Sequence, residues 1–222
     1  MSLLRLNELT SGRIIIDGQD ISNISRSTVR QSISSLSQDP FFFPGSIRQN
    51  ADPWDCATST EILDALQRVG IWDSLATKIE GTVDDVLETK LDHGILSQGQ
   101  KQLFCLARAL LKRSKVLILD EPTSRYAGPF LTSQYNTVCC KLSGILMKFD
   151  SLDRETDVKV QQVIRESFKE CTVMMIAHRI RTLLDFDQII VLDSGRIIEQ
   201  GSPSQLIGRD GGEFSKLLGL ES

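Results

Sequence analysis

Residues 116–122 read Val116-Leu117-Ile118-Leu119-Asp120-Glu121-Pro122. Four consecutive apolar residues that end in two carboxylates are the pattern of a strand buried on both faces and opening into a polar loop. A carboxylate at the end of such a strand can hold a hydrated magnesium ion beside phosphates. A second carboxylate next to it can polarise an attacking water. The same residues also fit a plain strand followed by a solvated acidic loop.

Upstream lies Leu96-Ser97-Gln98-Gly99-Gln100-Lys101-Gln102. Ser97 caps a helix whose apolar face is Leu103, Leu106, Ala107, Leu110 and Leu111. A serine cap, a glycine and free backbone N–H groups at a helix start make an anion site, and an ordinary N-cap uses the same residues. Earlier still, Ile62, Leu63, Leu66 and Val69 fall at helical spacing, with Thr60 as N-cap and Gly70 as stop. The stretch Asp84–Gly94 reads as a charged surface loop. Near the start, Ile14–Ile16 and Ser32–Leu36 are strand candidates. The prolines and glycine of Gln38–Ser46 deny that loop a helix.

Downstream, Val173–Ala177 reads as a buried strand with His178 just past it. Such a histidine can hydrogen-bond a terminal phosphate or be a satisfied polar group. Asp153 in Ser151-Leu152-Asp153 can cap a helix over Arg154–Lys169, whose apolar face is Val158, Val160, Val163, Ile164 and Phe168. Gln188–Leu192 and Arg196–Ile198 flank Asp193-Ser194-Gly195, a hairpin signal. Glu213–Leu220 closes the chain as a short helix. Strands and helices alternate, so the class is α/β.

The chain has 222 residues, 41% apolar and 24% charged, enough for a real core. Its 25 basic and 29 acidic residues leave a net charge of −4, which does not favour nucleic acid as a partner. Five cysteines (Cys56, Cys105, Cys139, Cys140, Cys171) without CxxC spacing argue against zinc and a disulfide framework and fit reduced cytosolic thiols. No apolar run reaches the roughly 18–20 residues of a spanning helix. The first residues carry no signal-peptide pattern.

Taken in order, these segments resemble the ATPase (nucleotide-binding) domain of ABC transporters, most of all the second ATPase domain of the multidrug-resistance-associated (C-type) subfamily. Gln38 is similar to the Q-loop glutamine, and Leu96-Ser97-Gln98-Gly99-Gln100 to the family signature, with Gln98 where a small residue is common. Val116–Asp120 is similar to Walker B, Glu121 to the catalytic glutamate, Ser151-Leu152-Asp153 to the D-loop and His178 to the switch histidine. Gly45-Ser46-Ile47-Arg48-Gln49-Asn50 and Leu106-Ala107-Arg108-Ala109-Leu110 agree. The resemblance implies a P-loop NTPase fold, with a RecA-like parallel sheet core and a helical signature subdomain at about 58–112. It implies ATP and Mg²⁺ as cofactors. Asp120 and Gln38 would serve the metal, Glu121 and His178 catalysis, and Gln38, Ser97, Gly99, Gln100 and Asp153 the nucleotide. It further implies a second ABC ATPase domain joined head to tail, and the transmembrane domains of an exporter, which would hold the chain at the cytosolic side of a membrane.

Two departures qualify these expectations. The phosphate-cradling pattern G-x-x-x-x-G-K-[ST] occurs nowhere, and no Gly-Lys pair is present. The resemblance would place that Walker A loop upstream of Met1, so the fold is expected incomplete and this chain poorly active on its own. The alternatives are a non-hydrolysing module that lends its signature face to a partner, or an inert gene-model fragment. The second departure is Arg125–Asp150, which lacks a clear period and reads as a foreign insert, such as a retained intron. Its deletion joins Thr123-Ser124 to Ser151-Leu152-Asp153 and restores D-E-P-T-S-S-L-D. An ordered insert there is expected to obstruct closure of a two-domain sandwich.

Overall fold

The computed structural model describes residues 2–37, 40–92, 94–120, 135–142, 163–164, 166–177 and 180–220. A two-stranded hairpin comes first, β1 (Ile15–Ile16) and β2 (Gln19–Asp20). Helix α1 (Arg26–Ser32) follows, capped by Ser25 at Thr28 N–H, 3.1 Å away. It leads into β3 (Ile33–Leu36). Next come α2 (Ile47–Ala51), α3 (Ser59–Val69), α4 (Trp72–Lys78), α5 (Val83–Glu88) and α6 (Gln98–Lys112). The rest is mainly strand: β4 (Val116–Asp120), β5 (Tyr135–Leu142), β6 (Thr172–Ala177), β7 (Phe186–Asp193) and β8 (Arg196–Gly201). Two short helices end it, α7 (Pro203–Ile207) and α8 (Glu213–Leu220).

Capping chemistry sets the helix starts. Ser46, Thr58, Thr82 and Ser97 each accept from the N–H three residues on, and Gln49, Glu61, Asp85 and Gln100 return the bond. The cap of α3 is Thr58, not Thr60, because Glu61 stands three residues after Thr58 and completes its capping box. Nor is 84–94 all loop. Thr82 and Asp85 nucleate α5, which buries Val86 and Leu87. Gly70 ends α3 at φ 81, a left-handed position that suits glycine.

The large sheet runs β3-β4-β6-β5-β7-β8. β3, β4 and β6 are parallel, in the register Ile33↔Val116↔Thr172 through Leu36↔Leu119↔Met175. β5 is antiparallel to both its neighbours, and β8 is antiparallel to β7. The β7–β8 turn holds Ser194 at φ 47 and Gly195 at φ 75, the two positive values that a tight hairpin needs. Within 125–150, Tyr135–Leu142 form the strand β5, and the rest of that segment lies outside the described residues.

Side chains alternate across the sheet. Leu117, Leu119, Val173, Met175, Ile189 and Val191 face the main core. There they meet Ile62, Ala65, Leu66 and Val69 of α3 and Leu103, Phe104, Leu106 and Ala107 of α6. Val116 and Ile118 face a smaller cluster with Ile21, Val29 and Ile33. The stretch 58–112 holds four helices, α3 to α6. Residues 163–164 and 166–167 are helical, within the helix expected over 154–169.

Phe104 is fully buried and stands edge-on to Phe42, with ring centroids 5.3 Å apart. Phe104→Ala is expected to cost about 3–5 kcal/mol. Urea unfolding of the variant should show a lower midpoint at unchanged slope. A loss below about 1 kcal/mol would sink this placement of the core.

Candidate functional site

Three parallel strands end at one edge. In register, Leu36 of β3 lies level with Leu119 of β4, and Asp120 lies level with Ile176 of β6. Neighbouring strands are about 4.8 Å apart, so these ends occupy roughly 10 Å of sheet edge. The carboxyl edge of a parallel sheet is where open α/β folds bind ligands. Asp120 is the last residue of β4 there. Gln38 comes two positions after Leu36, Glu121 one after Asp120, and His178 one after Ala177. Gln38, Glu121, His178 and Asp153 lie outside the described residues. The chemistry of the donor set suits a hard cation and phosphates, because Asp and Gln supply oxygen ligands.

The signature residues sit elsewhere, at the start of α6. Ser97 Oγ accepts from Gln100 N–H at 3.2 Å, and Gln100 Oε1 accepts from Ser97 N–H at 2.9 Å. Gln100 Nε2 then donates to Ser74 Oγ of α4 at 2.8 Å. Its side chain thus bonds both to the cap and to α4. Ser97 and Gln98 are exposed, and the capping pair leaves the first helical N–H groups, those of Gln98 and Gly99, at an open helix start. The dipole of a 15-residue helix favours an anion there. The Ser97 end is thus fastened to α4, apart from the strand edge.

Arg108 links α6 to the loop that follows position 38. Its Nε donates to Asn50 O at 2.7 Å and its Nη1 to Phe41 O at 3.1 Å. The guanidinium lies 5.6 Å from the Phe42 ring centroid and 5.9 Å from that of Phe43, a cation–π arrangement. Nη2 is buried without an acceptor among the described residues. Burial pulls its pKa below the usual arginine value and pushes the neighbouring Cys105 thiol up. Asn50, fully buried, closes the same loop: Oδ1 accepts from Phe43 N–H at 3.1 Å, and Nδ2 donates to Phe43 O and Ser46 O.

Sequence reasoning gave Arg108 no role beyond its motif. The signal was its place four residues after buried Phe104, on the same helix face. One turn further on, at the end of α6, Lys112 Nζ donates to Arg30 O and Ile33 O at 2.8 and 2.6 Å, and burial lowers its pKa.

A cleft of about 580 Å³ lies between α3 and the end of α6, with Asp52, Glu61, Asp64, Arg68 and Arg113 on its walls. Among the described residues, its lining includes none of the candidate site residues. Among the described residues there is no cluster of three or more His, Cys, Asp or Glu side chains that could hold a metal, and no helix long and apolar enough to cross a membrane.

Known proteins match this arrangement. A family model described as "ABC transporter" matches residues 1–124. The chain is 40% identical over 217 residues to ABC multidrug transporter B of Aspergillus fumigatus, covering 98% of this chain and 13% of that protein. It is 37% identical over 222 residues to ATP-binding cassette sub-family C member 2 of Homo sapiens, covering 99% of this chain and 12% of that protein. The chain thus spans only about an eighth of the length of these curated relatives. A bacterial Atm1-family ABC exporter solved with ATP bound superposes with a TM-score of 0.76 and 28% identity, over 100% of this chain and 34% of that one.

The Arg108 contacts predict an unequal pair of substitutions. Arg108→Met keeps the aliphatic packing but frees two carbonyls, and should cost about 2–3 kcal/mol in urea unfolding. Arg108→Lys keeps the charge but not the fork that reaches both carbonyls, and should recover less than half of that loss. A lysine variant as stable as the parent chain would count against the bidentate clamp.

Proposed function

The chain belongs to the ABC transporter family and has the ABC ATPase fold, and from that premise we propose that it is the ATP-binding and ATP-hydrolysing domain of an exporter. One observation supports the reading: β3, β4 and β6 end at the same sheet edge, and in the sequence a glutamine, an acidic pair and a histidine stand at or just past those strand ends in order.

On this reading Asp120 and the Gln38 amide oxygen hold Mg²⁺, which neutralises charge on the β- and γ-phosphates when bound. Glu121 orients and polarises the attacking water, and its carboxylate takes up the proton. His178 donates a hydrogen bond to the terminal phosphate. Asp153 follows in the D-loop and faces a second ATPase domain arranged head to tail. Ser97 and the backbone N–H groups of Gln98 and Gly99 reach the nucleotide held by that partner. Gln100 supports them by holding the cap. The cycle of closing on ATP and opening after hydrolysis moves the transmembrane domains of the same transporter, and the chain works on the cytosolic side of their membrane.

A second reading rests on two further facts. These 222 residues contain no Gly-Lys pair, while the Ser97 helix start is fully preorganised by its capping box. A chain without a phosphate-cradling lysine turns over ATP poorly by itself, yet can lend its signature face to a complete ATPase domain.

The purified full chain is expected to turn over MgATP below about 0.1 s⁻¹, against a typical enzyme rate of about 10 s⁻¹. Glu121→Gln should cut any such turnover by at least about 100-fold with the melting temperature unchanged. Equal rates for the two proteins would remove Glu121 from the catalytic role. Stimulation of a complete ATPase domain by the chain, lost on Ser97→Arg, would favour the second reading.

A further inference from the structure

Glu199 of β8 is paired with Val191 of β7, a residue that faces the main core. Paired residues share a face of the sheet, so Glu199 brings a half-buried carboxylate to the core side. Withdrawing part of a charge from water is unfavourable unless hydrogen bonds meet it. The start of α8 supplies them. Glu199 Oε1 accepts from Glu213 N–H and Oε2 from Phe214 N–H, both at 2.9 Å. These are the first two N–H groups of the helix, which have no partner within it. The residue before them, Gly212, has no side chain to cap them. A Cβ at 212 would stand 3.1 Å from Glu199 Oε1 and 3.2 Å from Arg209 Cβ, so the glycine leaves room for the carboxylate. A strand residue thus caps a helix that begins 14 positions downstream, and two oxygens on two adjacent N–H groups fix a direction as well as a distance.

The packing of α8 carries that cap further. Its buried residues Phe214 and Leu217 join the same core cluster as Ile180 and Leu183. Those two belong to the short 3-10 turn Ile180–Leu183, which contacts both α8 and β6. β6 ends at Ala177, and His178 follows it in the sequence. The connection that carries His178 therefore leads from the β6 ladder, paired at Asp120↔Ile176, to a turn packed against α8. Strand pairing sets the first end of that connection. The second is set by a helix whose start Glu199 fixes.

We propose that Glu199 is a positioning residue for His178. By tying α8 to β8 it holds the turn Ile180–Leu183, and with it one end of the connection on which His178 stands. The phosphate-binding role of His178 rests on the nucleotide reading above, whereas the tie between Glu199 and the turn rests on hydrogen bonds and packing alone.

The chain has only two histidines, His93 and His178, so their imidazole C–H signals can be told apart by NMR, assigned with His93→Gln. In the full 222-residue chain, Glu199→Gln keeps the shape of the side chain but loses one acceptor and the charge. It should lower the melting temperature by about 2–4 °C. It should also move the His178 signal by more than its linewidth while the His93 signal stays in place. Val29→Ala is the comparison, because Val29 packs with Val116, at the opposite end of β4 from Asp120. That variant should be destabilised at least as much and leave the His178 signal where it is. A stationary His178 signal in Glu199→Gln, or an equal movement in Val29→Ala, overturns the proposal. Amide exchange of the unaltered chain is a second measurement that needs no variant. The amides of Glu213 and Phe214 should exchange slowly, and exchange within seconds overturns the proposal as well. If the His178 signal moves with Glu199→Gln but not when MgATP is added to the unaltered chain, the positioning stands and the nucleotide reading falls.

Discussion

The structure depends on the double pairing of β4. Every one of its residues from Val116 to Leu119 has a partner on both sides, Ile33–Leu36 in β3 and Thr172–Met175 in β6. Its edges are closed by pairing, and because other elements pack on both sides of it, both its faces call for apolar groups. Leu117 and Leu119 meet that demand on one face, beneath α3 and α6, and Val116 with Ile118 meets it on the other. The first charged residue after this apolar run is Asp120, where β4 ends.

The same constraint explains what could be read in advance. The buried run before Asp120, the Ser97 cap and the Asp193-Ser194-Gly195 turn are local signals, and all three stand where the residues placed them. Errors arose where two local signals competed. Thr58 and Thr60 both offer a hydroxyl before α3, and the choice fell to Glu61. The charges of 84–94 suggested solvent, but Val86 and Leu87 supplied a buried face beneath them. β5 was illegible for a different reason: its identity as a strand comes from two partners more than 30 residues away, not from its own pattern. In the candidate site, Ser97 and Asp120 were legible because one stands at the start of α6 and the other at the end of β4. The bond from Gln100 to α4 and the Arg108 clamp were not, since both depend on side chains from elements distant in sequence.

Arg108 and Lys112 show how the helical stretch is held to the sheet. The two cations stand one turn apart near the C-terminal end of α6 and reach backbone carbonyls of neighbouring elements: Phe41 and Asn50 for the first, Arg30 and Ile33 for the second. The C-terminal end of α6 is thus tied both to the segment 41–50 and to α1 and β3.

The pairing of β3 with β4 has a consequence for synthesis. Ser34 and Ser114 meet through their hydroxyls although they stand 80 positions apart. A chain emerging from the ribosome cannot form its first parallel pair until β4 has left the exit tunnel. Everything between them, α2 through α6, is available earlier and is made of local contacts, which form fast. The helices are therefore the early-folding unit, and β3 must wait in the open, short and only four residues long, until its partner arrives.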